Sequence, residues 1–112
     1  MENINWSDFE KVEMRVGTIK KAEAFPEAKN PSYKLTIDFG GEIGIKKSSA
    51  QITRRYTRQE LQGRQIVAVV NFPEKQIANF MSQCLVLGAI GDNGDVILLS
   101  TDQKVKNGLR IG

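Results

Sequence analysis

The fold is decided by the segment Thr57-Arg58-Gln59-Glu60-Leu61-Gln62-Gly63, which interrupts a series of strand-like stretches. Thr57 and Glu60 have the spacing of a capping box, in which two side chains satisfy free backbone N–H groups at the start of a helix. Gly63 is typical of a residue that ends a helix. The segment therefore predicts a short helical connection within residues 49–63.

The stretch before Ile19 alternates between apolar and polar residues, as a strand with one buried face does. Val12, Met14 and Val16 alternate with charged residues, and Ile19, which follows Gly17, reverses the phase. A glycine at such a reversal indicates a β-bulge, which bends a strand so that its sheet can curl toward closure. A small barrel needs bends of this kind.

Further strands are predicted on both sides of the helical connection. Leu35, Ile37 and Phe39 alternate with polar residues, and the following Gly40-Gly41 predicts a tight hairpin turn in which both glycines take positive φ angles. The turn leads into a third strand, which contains Ile43 and Ile45. The later strands are apolar and rich in β-branched residues, and they are predicted at Gln65–Val70, Cys84–Ile90 and, after a turn at Asp92–Asp95, Val96–Leu99.

Three strands, a helical link and two further strands predict an all-β, five-stranded OB-fold, which is a partly open Greek-key barrel. A small β-sandwich is the alternative, and the helix after the third strand favours the barrel. The 112 residues form one domain in this interpretation, since 40% hydrophobic residues suffice for one modest core. Residues 1–10, with a capping-box pattern at Ser7 and Glu10, and residues 101–112 are predicted as terminal extensions.

The composition indicates a globular protein with no membrane insertion, because no stretch of 18 apolar residues occurs. The single cysteine, Cys84, lies in an apolar run and cannot form an internal disulfide. A buried thiol of this kind suits a reducing compartment, so a cytoplasmic location is expected.

Positive charge is concentrated in one part of the chain. Residues 1–45 have 6 Lys/Arg and 8 Asp/Glu, residues 46–64 have 6 and 1, and residues 65–112 have 4 and 4. A basic stretch of this kind is typical of a polyanion-binding surface. The alternative interpretation is a solvated helix with basic residues on its exposed face.

Catalytic chemistry is not predicted. The chain has no histidine, which removes the usual general base near neutral pH and a common zinc ligand. The glycine-rich spots lie between strands and are interpreted as turns, and Asp92 and Asp95 lack the spacing of a calcium loop. We therefore expect no metal, no cofactor and no enzyme activity, although a Ser-Lys pair is an alternative that the sequence leaves open.

The basic stretch mixes cations, hydroxyls and an aromatic ring, which suits the phosphates, sugars and bases of nucleic acid. Tyr56 could stack on a base, but its spacing from Ile52 favours a place in the core. Lys75, Asn79 and Ser82 are predicted to add contacts from the polar and aromatic segment 71–82, which should form a loop facing the basic stretch. The other predicted RNA contacts are Lys46, Lys47, Ser48, Ser49, Arg54, Arg55 and Arg58.

Segment 71–82 also contains Phe72, Phe80 and Met81, which are unusually apolar for a connection. They either cap the barrel or line a groove for a peptide, where a flexible methionine can adapt to many side chains. The apolar residues of the two termini, Trp6, Phe9, Val105, Leu109 and Ile111, are candidates for a homodimer interface, and the alternative is that both tails fold back on their own barrel.

Five segments in order resemble the tRNA-binding OB domain, and within it the CsaA-type secretion chaperones: Phe9–Ile19, Ala22–Pro26, Lys46–Ala50, Val69–Pro73 and Asn79–Ser82. The domain is also found at the C-terminus of bacterial methionyl-tRNA synthetases. This resemblance implies a homodimer that binds tRNA by its structure and holds unfolded precursor polypeptides, with export machinery as a further partner. General capture of single-stranded nucleic acid is the alternative function.

Overall fold

The computed structural model describes all residues, Met1–Gly112. Its main sheet has five antiparallel strands, β1 (Met14–Ala24), β2 (Tyr33–Asp38), β3 (Ile45–Ala50), β4 (Gln65–Val69) and β7 (Leu85–Val86). They curl into a nearly closed barrel in the order β3-β2-β1-β4-β7. The predicted five-stranded OB-fold is confirmed.

The helical connection that separates β3 from β4 is also confirmed. Helix α2 (Arg58–Leu61) begins after Thr57, whose side-chain oxygen accepts from the Glu60 backbone N–H, while the Glu60 carboxylate accepts from the Thr57 backbone N–H. Gly63 follows with a φ of +89°, and its N–H donates to Ile19 O over 2.7 Å. The capping box thus fixes where α2 begins, and the glycine turns the chain into β4.

The barrel interior is filled by apolar side chains from β1, β2, β3, β4, the α2 connection and the later part of the chain. Tyr56 belongs to this core, as its spacing from Ile52 predicts, and its hydroxyl accepts from the Leu98 backbone N–H over 3.0 Å. The other members are Ile19, Leu35, Ile37, Phe39, Ala50, Leu61, Ile66, Ala68, Cys84 and Leu98.

The N-terminal helix α1 (Trp6–Glu10) begins two residues earlier than the sequence pattern indicates. Asn5 is its cap and forms a capping box with Asp8, so the predicted box of Ser7 and Glu10 is wrong. Ser7 instead donates its hydroxyl to Asn5 Oδ1 over 2.7 Å. An asparagine satisfies free N–H groups at a helix start as well as a serine does, which is why the two patterns compete.

The bulge in β1 lies after Ile19, where the register with β2 shifts between Ile19 and Lys21. Gly17 is in regular register opposite Ile66 of β4, so the prediction that Gly17 forms the bulge is wrong. A Cβ atom at Gly17 would come within 2.7 Å of Ile37 Cγ2 and of the Phe39 ring. Glycine is required there because the core packs directly against the backbone.

The hairpin between β2 and β3 has a longer turn than predicted. Positive φ angles occur at Gly40 (+90°) and Gly44 (+83°), not at Gly41. The Phe39 N–H donates to Gly44 O and the Gly44 N–H to Gly40 O, so the turn spans residues 39–44.

The apolar run Cys84–Ile90 does not form one buried strand. β7 pairs with β4, whereas β8 (Gly88–Ile90) forms a separate hairpin with β9 (Val96–Leu98). The two strands of this hairpin are joined by a 3-10 turn at Asp92–Gly94. The Ile90 side chain is 85% exposed, so this part of the prediction is wrong.

The segment that was predicted as a loop facing the basic stretch contains a small hairpin, β5 (Lys75–Ile77) and β6 (Phe80–Ser82). The C-terminal segment lies beside the start of β1, where the Val16 N–H donates to Leu109 O and the Ile111 N–H donates to Met14 O. Neither α1 nor α2 has the length or the apolar composition of a membrane-spanning helix.

Candidate nucleic-acid interface

A cleft of about 460 Å³ opens between the loop after β1, the end of β3 and the β5–β6 hairpin. We call it the hairpin cleft. Two lysines, Lys29 and Lys75, line it. Its remaining polar lining comes from Asn30, Ser32, Ser49, Gln51 and Ser82, and its apolar lining from Ala28, Phe72, Pro73, Ile77, Cys84 and Leu85.

The β5–β6 hairpin positions two of the predicted RNA contacts at this cleft. Lys75 lies opposite Ser82 in the hairpin register, and the Ser82 hydroxyl accepts from the Ser49 backbone N–H over 3.2 Å, which ties the hairpin to β3. The hairpin turn uses Ala78, at a φ of +52°, and exposes Asn79 at its tip. The hairpin therefore brings together Lys75, Ser82 and Ser49 at the cleft. Asn79 lies at the tip of the hairpin, outside the cleft lining.

The basic residues of β3 lie on alternate faces of the strand. Lys47 is exposed, on the same face as Ser49, and its backbone N–H and C=O groups bond to Gln83 over 3.0 and 2.7 Å. Lys46 is half-buried on the other face, which it shares with Ser48.

Ser48 does not reach a ligand surface. Its side chain is 1% exposed, and its hydroxyl donates to Cys84 O over 2.9 Å. The Ser48 hydroxyl therefore helps to hold β3 against the segment before β7, and we remove Ser48 from the predicted RNA contacts.

Two of the predicted arginines are held by the turn between β8 and β9. Arg55 forms a two-pronged ion pair with Asp95, with Nη2 and Oδ2 at 2.8 Å. Arg54 donates to the Asn93 carbonyl oxygen. The hydrogen bond from Arg55 lowers the pKa of Asp95, and Asp95 raises the pKa of Arg55. The ion pair reduces the charge that Arg55 can offer to a phosphate, and the hydrogen bond to Asn93 occupies one N–H group of Arg54. Arg58 is exposed in α2.

The predicted peptide-binding residues do not form one surface. Phe72 is exposed and lines the hairpin cleft. Phe80 packs edge-on against the buried Phe25 with ring centroids 5.5 Å apart, and the Lys34 ammonium lies 6.0 Å from the Phe80 ring. Met81 is exposed on the other face of β6. Of the two predicted roles for Phe80, the position of its ring favours packing at the end of the barrel.

The terminal residues predicted for a dimer interface differ in exposure, and the C-terminal backbone pairs with its own β1. Trp6 is 68% exposed, and its ring lies 5.5 Å from that of Phe9. Leu109 is also exposed, and Ile111 is half-buried. Val105 is held to the barrel by Gln65, which accepts from the Val105 N–H and donates to its carbonyl oxygen.

Sequence reasoning missed the contribution of the loop after β1, which supplies Lys29, Asn30 and Ser32 to the hairpin cleft. The sequence does contain an indication of this contribution, since a lysine and an asparagine lie in the loop between Pro26 and Pro31. Cys84 also lines the cleft but is buried, and burial raises the pKa of its thiol to about 11. The thiol therefore stays protonated near neutral pH, which suits a structural role.

The comparisons with known structures agree with this geometry. The chain is 50% identical to the chaperone CsaA of Bacillus anthracis, with a TM-score of 0.94 and coverage of 99% of this chain and 100% of the other. It is 52% identical to the CsaA chaperone protein of Picrophilus torridus, with a TM-score of 0.91 and coverage of 98% and 100%.

Among curated proteins, the chain is 31% identical to a methionine–tRNA ligase of Methanocaldococcus jannaschii over 99% of its own length. It spans only 17% of that ligase, so the similarity is to one domain of a longer enzyme. The family described as "Putative tRNA binding domain" matches residues 14–110, which include the whole barrel and the hairpin cleft. The chain belongs to the tRNA-binding domain family.

Proposed function

We propose that this protein is a non-enzymatic binding protein that holds folded tRNA in the hairpin cleft and on the adjoining face of β3. The proposal rests on one observation: two lysine side chains and several hydrogen-bonding side chains line the same cleft. Neither Lys29 nor Lys75 forms an ion pair, so both can neutralise phosphates. Lys47, on the same face of β3 as Ser49, adds a further cation beside the cleft, while Lys46, Arg54, Arg55 and Arg58 remain proposed RNA contacts outside the cleft lining.

The lining of the cleft favours recognition of RNA shape over sequence. Lysines contact phosphates, which every nucleotide carries, and short hydroxyls such as Ser49 and Ser82 suit phosphate and 2′-hydroxyl oxygens. Contacts of this kind fix the position of a folded RNA without reading its bases. The protein should therefore bind folded tRNA more tightly than an unstructured oligonucleotide, which separates this proposal from general single-stranded nucleic-acid capture.

Reversing the charge of the cleft-side lysines tests the proposal. Lys29→Glu with Lys75→Glu should weaken tRNA binding and flatten its salt dependence by about 1.4 to 1.8 log units per tenfold change in salt, because each lost phosphate contact removes about 0.7 to 0.9. Fluorescence anisotropy of labelled tRNA at several salt concentrations measures both effects.

The matched control is Lys104→Glu with Lys106→Glu, which makes the same change in net charge at two exposed residues of the C-terminal segment. The salt slope of this control should stay at the parent value. The double variant Arg54→Glu, Arg55→Glu should change the slope less than the cleft variant does, since Asp95 already engages Arg55. An equal flattening in the control would place the polyanion surface elsewhere.

A second candidate function is the holding of unfolded precursor polypeptides before export, as in a secretion chaperone. The similarity to two CsaA chaperone structures over almost the whole chain supports it, and so does the apolar part of the hairpin cleft at Phe72, Pro73 and Ile77. We propose that release occurs by dissociation or by transfer to export machinery. The buried thiol of Cys84 fits a reducing cytoplasm for either function.

We also propose that the protein acts as a homodimer through the exposed apolar area at Trp6, Phe9 and Leu109, with Val105 and Ile111 at its margin. Sedimentation should give the mass of two 12.5 kDa chains at micromolar concentration, and Trp6→Glu should shift the protein to the monomer because a charge would enter an apolar interface. Ile97→Glu, at an exposed apolar residue of the β8–β9 hairpin, is the control that should leave the dimer intact. A parent protein that sediments as a monomer would contradict the proposal.

A further inference from the structure

Two exposed arginines, Arg54 and Arg55, lie on a turn at residues 53–55, which we call the arginine turn. The next residue, Tyr56, is buried and anchors the turn. Its carbonyl oxygen accepts from the Tyr33 hydroxyl over 2.7 Å, and its own hydroxyl accepts from the Leu98 N–H over 3.0 Å. The arginine turn is therefore tied to both β2 and β9, and its position does not depend on what the two arginines contact.

The oxygen atoms that face these arginines belong to the chain itself. Both carboxylate oxygens of Asp95 accept from Arg55, with Nη2 and Oδ2 at 2.8 Å, and the Asn93 carbonyl oxygen accepts from Arg54. Three acceptor oxygens thus contact the guanidinium groups of two neighbouring residues. A phosphate group presents a similar set of oxygens, since it accepts from arginine in the same two-pronged way as a carboxylate.

The Asp95 carboxylate can be displaced without unfolding the turn between β8 and β9. The side chains of Arg55 and Asp95 are 51% and 29% exposed, and an exposed ion pair contributes little because water and salt screen it. The backbone of Asp95 is held separately, since its N–H donates to Asp92 O over 3.1 Å and its carbonyl oxygen accepts from the Gly91 N–H. These backbone bonds do not need the carboxylate.

No other carboxylate forms an ion pair with the arginine turn. Asp92, the second acidic residue of the β8–β9 turn, is exposed and has no ion-pair partner. The Glu60 carboxylate accepts from the Thr57 N–H in the capping box of α2. Asp95 is therefore the one acidic side chain that competes directly with a ligand for Arg55.

We propose that Arg54 and Arg55 form a phosphate-binding site that the Asp95 carboxylate occupies in the free protein. Asp95 then acts as an internal competitor, and it limits how tightly the arginine turn holds a polyanion. This inference deepens the proposed function and rests on it for the source of the phosphate, which is the RNA backbone. It adds a phosphate contact outside the hairpin cleft.

Asp95→Asn removes the competing charge and keeps the size of the side chain. We expect tRNA to bind about two- to fivefold more tightly, the change that follows when an exposed ion pair no longer competes. The salt slope should steepen by about 0.7 to 0.9 log units per tenfold change in salt, because one more phosphate is neutralised. Fluorescence anisotropy of labelled tRNA measures both quantities. Asp95→Ala, which also removes the remaining acceptor oxygen, should change them in the same direction.

Asp92→Asn is the matched control, because it removes the same charge from the same turn at a side chain without an ion-pair partner. Its affinity and salt slope should stay close to those of the parent. If Asp95→Asn binds tRNA no more tightly than Asp92→Asn does, the inference is overturned.

A second background separates the release of arginine from a general change in charge. In a protein that already carries Arg54→Gln and Arg55→Gln, Asp95→Asn should raise tRNA affinity no more than Asp92→Asn does, because no guanidinium group is left to release. A full gain in that background would show that the missing negative charge acts without the arginines, and would overturn the inference.

Inorganic tripolyphosphate, titrated against the full chain by calorimetry, separates this inference from the proposed function. Asp95→Asn should bind it more tightly than the parent and Asp92→Asn do. That gain in a protein that does not bind tRNA would support the phosphate site and contradict the RNA proposal. Conversely, tRNA binding that is weakened by Lys29→Glu with Lys75→Glu but equal in the parent, Asp92→Asn and Asp95→Asn would support the RNA proposal and overturn the inference.

Discussion

Tyr56→Ala should lower the free energy of unfolding by about 3–5 kcal/mol, the cost of truncating a large buried aromatic side chain. The ring lies in the barrel core and is 9% exposed. The change also removes the hydroxyl that accepts from the buried Leu98 N–H. Because small domains are stable by only about 5–15 kcal/mol, the variant should unfold at a clearly lower denaturant concentration.

Two other variants separate the contributions of the buried ring and of its hydroxyl to this loss of stability. Tyr56→Phe keeps the ring but leaves the Leu98 N–H without its partner, which should cost about 1–3 kcal/mol. Phe72→Ala truncates an aromatic ring that is 53% exposed and should change stability far less. Urea unfolding followed by circular dichroism measures all three. A Tyr56→Ala variant as stable as Phe72→Ala would show that the ring contributes little to the core.

Gly17→Ala should lower stability by about 1–3 kcal/mol, the usual cost of adding a methyl group to a packed core. The new Cβ would lie 2.7 Å from Ile37 Cγ2 and from two ring carbons of Phe39. Both side chains are almost completely buried, so neither can move aside without displacing other core residues.

Gly41→Ala is the matched control for this prediction. No atom lies within 4 Å of a Cβ at Gly41, and its φ is outside the positive region. Thermal unfolding should therefore give Gly41→Ala a melting temperature equal to or slightly above that of the parent, because alanine restricts the unfolded chain. A Gly17→Ala variant with the same melting temperature as Gly41→Ala would show that the core beside β1 can accommodate another methyl group.

Those elements of the fold that depend on nearby residues could be predicted from the sequence. The Thr57–Glu60 capping box identified α2, and the alternation from Leu35 to Phe39 identified β2. The predictions are wrong where two local patterns compete, or where contacts between distant residues determine the local structure. Both Asn5 and Ser7 can cap a helix, and only packing decides that Cys84–Ile90 divides between two sheets.

The candidate site was harder to predict because it joins segments that are far apart in the chain. Arg55 belongs to the basic stretch, but its partner Asp95 is 40 residues away, and nothing near Arg55 signals that ion pair. Similarly, Lys29 and Lys75 meet at one cleft only because the β5–β6 hairpin is tied to β3. The net charge of a segment does not show which of its cations are already engaged.

The pairing of the C-terminal segment with β1 has a consequence for how the molecule assembles. Arg15 donates to the carbonyl oxygen of Gly108, which is 93 residues away, and the Arg110 guanidinium reaches Glu13. Contacts between such distant residues require a large loop to close before they stabilise anything, so they slow folding. During synthesis on the ribosome, β1 must wait for residues 108–111 to emerge before this edge of its strand is covered.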